Sequence, residues 1–313
     1  MLGTNNLSQP SVSVVIPVFN DSARLQKCLL ALENQSYPSS LYEVLVIDND
    51  STEDIKRVVD CFTKTKIFLE TAVGSYAARN KGIEVAKGDL IAFTDADCIP
   101  AKQWIEQGVK SFLAISDCGL VGGKIELFFE KPAVPTAVEL YESVEMNFHQ
   151  DILLSEQNYA LTANMFTSKQ VIVSVGLFNK FLKSGGDREW GQRVFAAGYK
   201  QAYASEALVQ HPARRSFWQL YKRVTRINGG NLDAQRSTLS EQNKWECLLK
   251  DFVLAFTPPG RSILSLWSDP SEQQSKLVTN KQKLQFVTAS LFVRYVSAWE
   301  RIRIRLGGKS RRW

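Results

Sequence analysis

Apolar residues in the first hundred positions form short continuous runs, separated by stretches of helical spacing. Three of these runs are rich in β-branched residues and predict strands buried on both faces of a sheet: 12–17, 44–48 and 90–94. Between them, apolar residues recur three or four positions apart, as at Leu25, Leu29 and Leu32, which predicts helices. Alternating strands and helices predict an α/β domain with a mostly parallel, Rossmann-like central sheet flanked by helices.

Polar, acidic loops follow two of these predicted strands. Asp48 and Asn49 end the strand at 44–48, and Asp95 and Asp97 come directly after the strand at 90–94. Ligands of open α/β sheets bind outside the carboxyl ends of the strands, so we expect these four side chains to converge on one cleft. Two carboxylates two residues apart can hold Mg2+ or Mn2+ through oxygen, although such pairs also occur on solvated surfaces.

The alternation loosens after about residue 105. The pattern there predicts a strand at 121–129, a helix at 136–150, a helix entered through a glycine turn at 184–187, a strand at 203–210, and charged helices from 216 onward. Trp190, Val194 and Ala197 are expected on the inner face of the helix that follows the turn. The predicted division is a catalytic domain at 1–215, with halves 11–105 and 106–215, and a helical extension at 216–313.

Two single residues in this half allow two interpretations each. Asp187 follows the glycine turn, where it serves either as an ordinary helix N-cap or as a general base. The helix dipole at that position would keep its carboxylate ionised. His211 ends the strand at 203–210 and is either a structural histidine or a third metal ligand.

Charge is concentrated at the end of the chain. The net charge is +6, and residues 294–313 hold seven basic residues and one acidic residue, which equals the whole excess. A nucleic-acid-binding protein would spread such charge over its fold, so we expect no nucleic-acid partner. Five cysteines without a C-x-x-C pair, no apolar leader and no spanning run predict a cytoplasmic protein.

The motifs VSVVIPVFN, VIDNDST, IAFTDADCIP, LTANMF, SGGDREWG and VQHPAR occur in an order that resembles family 2 of the inverting glycosyltransferases, over roughly residues 11–215. The resemblance implies a GT-A fold, a nucleoside-diphosphate-sugar donor, an acceptor hydroxyl on a sugar or a lipid-linked precursor, and inversion at the anomeric carbon. A UDP-sugar is the expected donor, although Asn49 stands where the family has a second Asp, which weakens the case for uracil.

The resemblance also implies roles for individual residues. The residues matched to the nucleotide-sugar site are Pro17, Asn20, Asp48, Asn49, Arg79, Asn80, Asp95 and Asp97. Asp97 would be the direct metal ligand, His211 would complete the site, and Asp95 would lie nearer the ribose or sugar. Asp187 matches the acid of the family's G-E-D turn, in which the general base resides. Gly186 replaces the preceding Glu of that turn, and Glu189 is the reserve base.

Two basic segments after residue 215 remain open to two interpretations. Arg223 and Arg226 either bind the donor diphosphate, since arginine recognises phosphate by paired hydrogen bonds, or belong to a solvated helix face. Residues 284–313 mix apolar, aromatic and basic side chains. That composition fits peripheral attachment to an anionic membrane on its inner face, and it also fits a helix packed on the catalytic domain.

Two other functions are weighed against transfer. A homologue that binds sugar nucleotides without transferring them fits the departures at Asn49 and Gly186. A haloacid-dehalogenase-type phosphatase also has a D-x-D loop, but its loop normally follows the first strand, whereas 94 residues precede Asp95 here.

Overall fold

The computed structural model describes residues 9–146, 148–235, 241–257, 266–268, 271 and 274–311. The chain divides into two compact units. The first unit comprises Met1–Glu126, Phe148–Lys180 and Gly186–His211, and the second comprises Leu127–Asn147, Phe181–Gly185 and Pro212–Trp313. Three segments of the predicted catalytic domain, residues 127–147, 181–185 and 212–215, therefore group with the C-terminal helices. The division at residue 215 stays a prediction.

One eight-stranded sheet has the order β3-β2-β1-β4-β7-β6-β8-β5. Its strands are β1 Val12–Val18, β2 Tyr42–Asp48, β3 Thr65–Leu69, β4 Leu90–Thr94, β5 Ile99–Pro100, β6 Cys118–Phe128, β7 Asn164–Ser168 and β8 Lys200–Pro212. The β3-β2-β1-β4 half is parallel, whereas β7 pairs antiparallel with both β4 and β6, and β5 pairs antiparallel with β8. The predicted α/β class is confirmed, with a mixed sheet.

Eleven α-helices have both ends given in the described part of the chain, which also includes helical residues 266–268. They are α1 Ser22–Glu33, α2 Ile55–Val59, α3 Ser75–Val85, α4 Trp104–Leu113, α5 Ala137–Glu145, α6 Gln150–Gln157, α7 Lys169–Val175, α8 Gly186–Ala196, α9 Phe217–Gln235, α10 Glu241–Phe256 and α11 Asn280–Arg305. The predicted helix at 136–150 is therefore wrong as one element, because α5 ends at Glu145. Ala197 is exposed because α8 ends at Ala196, whereas Trp190 and Val194 are fully buried as predicted.

The core of the first unit follows the apolar periodicity of the sequence. The residues that α1 buries are Leu25, Cys28, Leu29 and Leu32, and every residue of β4 is buried. Packing between α3 and β1 requires a glycine, because a Cβ at Gly82 would lie 2.3 Å from Val15 Cγ1. This packing fixes the carboxyl ends of β1, β2 and β4, from which the predicted site residues emerge.

The second unit is a helical assembly in which α11 packs against α5, α9 and α10. Small apolar clusters join these helices, one of them formed by Val138 of α5 with Leu220 and Val224 of α9. Buried carboxylates pair with arginines: Glu142 with Arg214, Asp251 with Arg301 and Arg305, and Glu300 with Arg303. None of the described helices is long and apolar enough to cross a membrane.

Candidate active site

The loop after β4 carries the predicted metal ligands. Asp97 Oδ1 lies 3.8 Å from His211 Nε2 and 3.9 Å from Cys98 Sγ, and one ligand atom from each residue lies within 4.8 Å of the other two. The β5–β8 pairing brings the two segments together, since Ile99 lies opposite Gln210, the neighbour of His211. The predicted proximity of Asp97 and His211 is thus present in the structure.

This arrangement fits a divalent cation. The Asp97 side chain is 23% exposed, so that solvent or a ligand can reach its oxygens, and His211 is largely buried with its ring against Phe148. A carboxylate and an imidazole are ligands that Mn2+ accepts. The compact group contains Cys98 and not Asp95, because the Asp95 carboxylate turns toward a different partner.

That partner is Arg79, which is only 4% exposed and lies 2.5 Å from Asp95 Oδ1. Burial would lower the pKa of Arg79, but the carboxylates of Asp95 and Asp187 outweigh it and raise that pKa. Burial likewise raises the pKa of Asp95, and Arg79 acts against that rise. Arg79 Nε is buried without a hydrogen-bond partner. The guanidinium thus lies among the site carboxylates as a fixed buried cation.

Asp187 is the second residue of α8 and faces the same charged group. Its Oδ2 accepts hydrogen bonds from the backbone N–H and the hydroxyl of Thr162, at 3.2 and 3.3 Å. Its Oδ1 is buried and has no hydrogen-bond partner. The hydrogen bonds to Oδ2 come from another segment, whereas an N-cap accepts from its own helix. The Tyr76 hydroxyl is a further hydrogen-bonding neighbour of this carboxylate, and Oδ1 is its less engaged oxygen.

Tyr76 explains why glycine stands at position 186. The Gly186 N–H donates to Tyr76 Oη at 2.9 Å, and a Cβ at Gly186 would lie 2.6 Å from Cζ of the Tyr76 ring. The ring stacks on Phe178, and the carbon of the Arg79 guanidinium lies 5.7 Å from its centre. Burial, and next the charge of Asp187, raise the pKa of the Tyr76 phenol, so its proton is retained. Gly186 thus stands where the G-E-D pattern has Glu, and the Tyr76 ring of α3 occupies the space that a side chain at position 186 would need.

The polar residues at the ends of β1 and β2 brace the loops at this edge of the sheet, mostly by bonding to a neighbouring loop. Asn20 Oδ1 accepts from the backbone N–H of Thr52, and Asp48 Oδ1 accepts from that of Ser51. The Asn49 amide donates to two carbonyls of the β3–α3 loop and accepts from Gly74 N–H. Pro17 lies within β1. These bonds shape a loop pair at the carboxyl edge of the parallel strands.

Two further predicted residues have internal partners. Asn80 donates to the Phe178 carbonyl and accepts from its N–H, so both ends of its amide are engaged within the fold. Glu189, the reserve base, forms an ion pair with Arg193 at 2.7 Å. Arg193 thus engages both oxygens of the Glu189 carboxylate.

Arg223 and Arg226 both belong to α9 of the second unit. Burial, followed by the nearby positive charge of Arg214, lowers the pKa of Arg223 to about 9. Glu142 acts in the opposite direction, and Arg226 adds to the lowering. The two arginines therefore belong to a crowded cationic group and not to a fully solvated face.

Sequence reasoning missed four residues of this region: Arg24, Tyr76, Cys98 and Thr162. Arg24 pairs with Asp21 and lies 3.7 Å from Asp97 Oδ2. Tyr76 precedes Arg79 by three positions, a spacing that places both on one face of α3. Thr162 lies inside the quoted LTANMF motif, and Cys98 directly follows Asp97. Their positions beside known motif residues were the only signals in the sequence, because the contacts of Arg24, Tyr76 and Thr162 with the site join distant segments.

Comparisons with known proteins show the family of the chain. The family model described as "Glycosyl transferase family 2" matches residues 13–167. "Glycosyltransferase AglE" of Haloferax volcanii is 42% identical over 228 residues, which cover 71% of this chain and 73% of that relative. A Methanococcus voltae relative, "Dolichyl N-acetyl-alpha-D-glucosaminyl phosphate 3-beta-D-2,3-diacetamido-2,3-dideoxy-beta-D-glucuronosyltransferase", is 25% identical over 60% of this chain and 63% of its own length.

Solved structures agree on the fold. "Mannosyltransferase PcManGT from Pyrobaculum calidifontis in complex with GDP-Man and Mn2+" is similar with a TM-score of 0.59 at 17% identity, covering 95% of this chain and 88% of that one. Staphylococcus aureus TarS is similar with a TM-score of 0.52 at 17% identity, covering 92% of this chain and 54% of that one. At such identities the likeness establishes the fold alone, and that fold is GT-A.

Proposed function

The chain belongs to glycosyl transferase family 2, and we propose that it moves a sugar from a nucleoside-diphosphate donor to an acceptor hydroxyl with inversion at the anomeric carbon. The observation that carries the proposal is the unpartnered Asp187 Oδ1, buried beside the charged group that includes Arg79 and Asp95. This membership also sets aside the phosphatase alternative.

We assign Asp97 and His211 as the residues that hold the divalent cation, Mn2+ or Mg2+. When bound, such an ion offsets the negative charge that builds on a departing diphosphate. The fit is supported by the 3.8 Å separation of a carboxylate oxygen and an imidazole nitrogen. Asp95, paired with Arg79, is our candidate for contacting the donor ribose or sugar.

Asp187 is our general base. The base takes the proton of the acceptor hydroxyl while that oxygen attacks the anomeric carbon on the face opposite the diphosphate. Support comes from the two Thr162 hydrogen bonds that orient Oδ2 and leave Oδ1 without a partner. Tyr76 supports the turn that carries Asp187, through its bond with the Gly186 N–H. Glu189 is the weaker candidate because Arg193 pairs with it.

The donor nucleotide is assigned to the loops at the ends of β1 and β2. The candidates are Pro17, Asn20, Asp48, Asn49, Arg79 and Asn80. Because the amides of Asn49 and Asn80 are engaged within the fold, we assign them the role of shaping the pocket. Arg223 and Arg226 remain our candidates for the diphosphate, since an anion beside the crowded arginines of α9 would relieve their mutual repulsion.

We propose peripheral attachment through α11, with a lipid-linked acceptor, at the inner face of the membrane. Along α11, Leu284, Tyr295 and Trp299 are exposed, as is Leu306 at its end, and their spacing places them on one side of the helix. Arg301, Arg303 and Arg305 are paired with carboxylates of the same unit. Attachment would therefore depend on the exposed aromatic and apolar side chains more than on the charge of the tail.

A donor panel tests the proposal. Purified protein is incubated with UDP-, GDP- and dTDP-sugars in Mn2+, and donor binding and release of free nucleoside diphosphate are both measured. We expect one nucleotide class to bind and to be consumed, slowly with water and faster with an acceptor lipid phosphate extract. Binding without consumption by either acceptor would favour the non-transferring homologue.

A further inference from the structure

Three chemically different ligand atoms meet after β4: an oxygen of Asp97, the Cys98 sulfur and a nitrogen of His211. Two of their separations are 3.8 and 3.9 Å, and all lie within 4.8 Å. In a tetrahedral zinc site, neighbouring ligand atoms lie about 3.4–3.6 Å apart, given bonds of about 2.0–2.3 Å. Shifts of about an ångström or less would therefore let one ion contact all three atoms.

The backbone holds these residues in place without any ion. Cys98 N–H donates to the Asp95 carbonyl at 3.1 Å, and β5 begins at the next residue. Ile99 lies opposite Gln210, so that Cys98 and His211 flank the same paired position of β5 and β8. The Cys98 side chain is fully buried, and its thiol is directed at Asp97 Oδ1. The group is thus largely preformed.

The sulfur changes which ions this group can select. Mg2+ and Mn2+ prefer oxygen ligands, whereas a thiolate together with an imidazole and a carboxylate favours Zn2+ and similar ions. We propose that Asp97, Cys98 and His211 form a binding site for a thiophilic divalent ion of the Zn2+ class, with the Cys98 sulfur as a direct ligand. This proposal rests on the proposed function in one respect, namely that Asp97 and His211 are also the residues assigned to the Mn2+ site.

Competition follows from the shared ligands. Binding of Zn2+ replaces the thiol proton with a metal–sulfur bond and releases that proton to solvent. Asp97 and His211 cannot serve two ions at once, and nitrogen–oxygen–sulfur sites bind Zn2+ more tightly than Mn2+. Zn2+ therefore displaces Mn2+ and uses three protein ligands, whereas Mn2+ uses Asp97 and His211 and leaves Cys98 protonated.

Cobalt spectroscopy on the full chain tests the sulfur ligand without any sugar donor. The background variant is Cys61→Ser, which removes an exposed thiol. On titration with Co2+ we expect a near-ultraviolet thiolate-to-cobalt charge-transfer band that Zn2+ abolishes. Cys98→Ser should lack the band and bind Zn2+ at least about 100-fold more weakly, since even changes outside the ligand shell cost about 10- to 100-fold.

Cys28→Ser is the matched control, because Cys28 is equally buried and its thiol is directed at the Asp95 carbonyl, 3.7 Å away. It should keep the band. If Cys98→Ser does not fold, as judged by its melting curve, Cys98→Ala takes its place. A band that is absent from the background protein, or that persists without Cys98, overturns the proposal. A Cys98-dependent band in a protein that binds no nucleotide with Mn2+ would uphold this site and contradict the proposed function.

Discussion

Glu142 of the second unit and Asp187 of the first unit differ in how completely their carboxylates are paired. In the second unit, both oxygens of Glu142 are bonded to Arg214, one to its backbone N–H at 2.7 Å and one to its guanidinium at 3.0 Å. In the first unit, Asp187 keeps Oδ1 without a hydrogen-bond partner, and the Arg24 and His211 nitrogens near Asp97 are 3.7 and 3.8 Å from its oxygens. The Glu142 carboxylate is fully paired, whereas the carboxylates of Asp187 and Asp97 in the first unit can still bind a ligand.

The difference separates a structural role from a chemical one. A carboxylate whose oxygens are all paired contributes to folding, and removing one partner leaves an uncompensated buried charge. A buried oxygen without a partner costs folding free energy, and a ligand that binds it recovers that cost. Substitutions in the two groups should therefore affect different measurements.

Asp187→Asn should have the largest effect on transfer. Asn keeps the shape but cannot take the acceptor proton, and general-base catalysis contributes about 100- to 10,000-fold. Transfer should fall by that order, while donor affinity and melting temperature stay near wild type. Glu189→Gln on the same helix is the control and should be mild. A variant at position 187 that keeps more than about a tenth of the activity would remove Asp187 as the base.

Glu142→Gln should affect stability and not donor binding. The Glu142 side chain is fully buried, and removing its charge leaves Arg214 without its partner. Breaking a buried pair costs about 3–5 kcal/mol. Denaturant unfolding should show a loss of that order, and the folded fraction should bind donor normally. Unchanged stability, or a selective loss of donor affinity, would contradict the assignment of this pair to folding.

Those parts of the fold that depend on local apolar periodicity could be predicted from the sequence. The strand at 90–94 and the buried face of α1 are set by neighbouring residues and were predicted correctly. The grouping of Leu127–Asn147 with the C-terminal helices depends on tertiary packing, which no local pattern carries. In the site, the predicted residues Asp97 and His211 do meet, but Tyr76 contacts Gly186 across 110 residues, and no motif indicated that contact.

Tyr76→Phe should have a moderate effect on turnover. The change removes one hydroxyl beside the Asp187 turn and keeps the ring packed against Phe178. Loss of one hydrogen bond costs about 0.5–1.5 kcal/mol, so kcat should fall up to about tenfold with little change in the donor KM. Tyr42→Phe is the control, since Tyr42 is equally buried and its hydroxyl donates to the Leu32 carbonyl. If Tyr76→Phe and Tyr42→Phe change kcat equally, the Tyr76 hydroxyl has no specific role beside Asp187 and Tyr76 contributes packing alone.

The smallest effect concerns membrane attachment. Trp299→Ala should lower binding to anionic liposomes several-fold, with weak dependence on salt because the nearby arginines are paired. Deleting 294–313 is a poorer test, since it also removes the buried Ala298 and Ile302. The control is Leu113→Ala, an exposed leucine of the first unit. If both variants bind liposomes like wild type, α11 is a packing element and not an anchor.

Calorimetric titration of the nucleoside diphosphate found by the donor panel tests the central claim most directly. The claim is that the open carboxylates of the first unit bind a metal and, through it, the donor. Wild-type protein should bind the nucleotide in Mn2+ and only weakly in a chelator, and Asp97→Asn should lose the Mn2+-dependent part while it keeps its melting temperature. Equal affinity of wild type and Asp97→Asn in Mn2+ would contradict the claim.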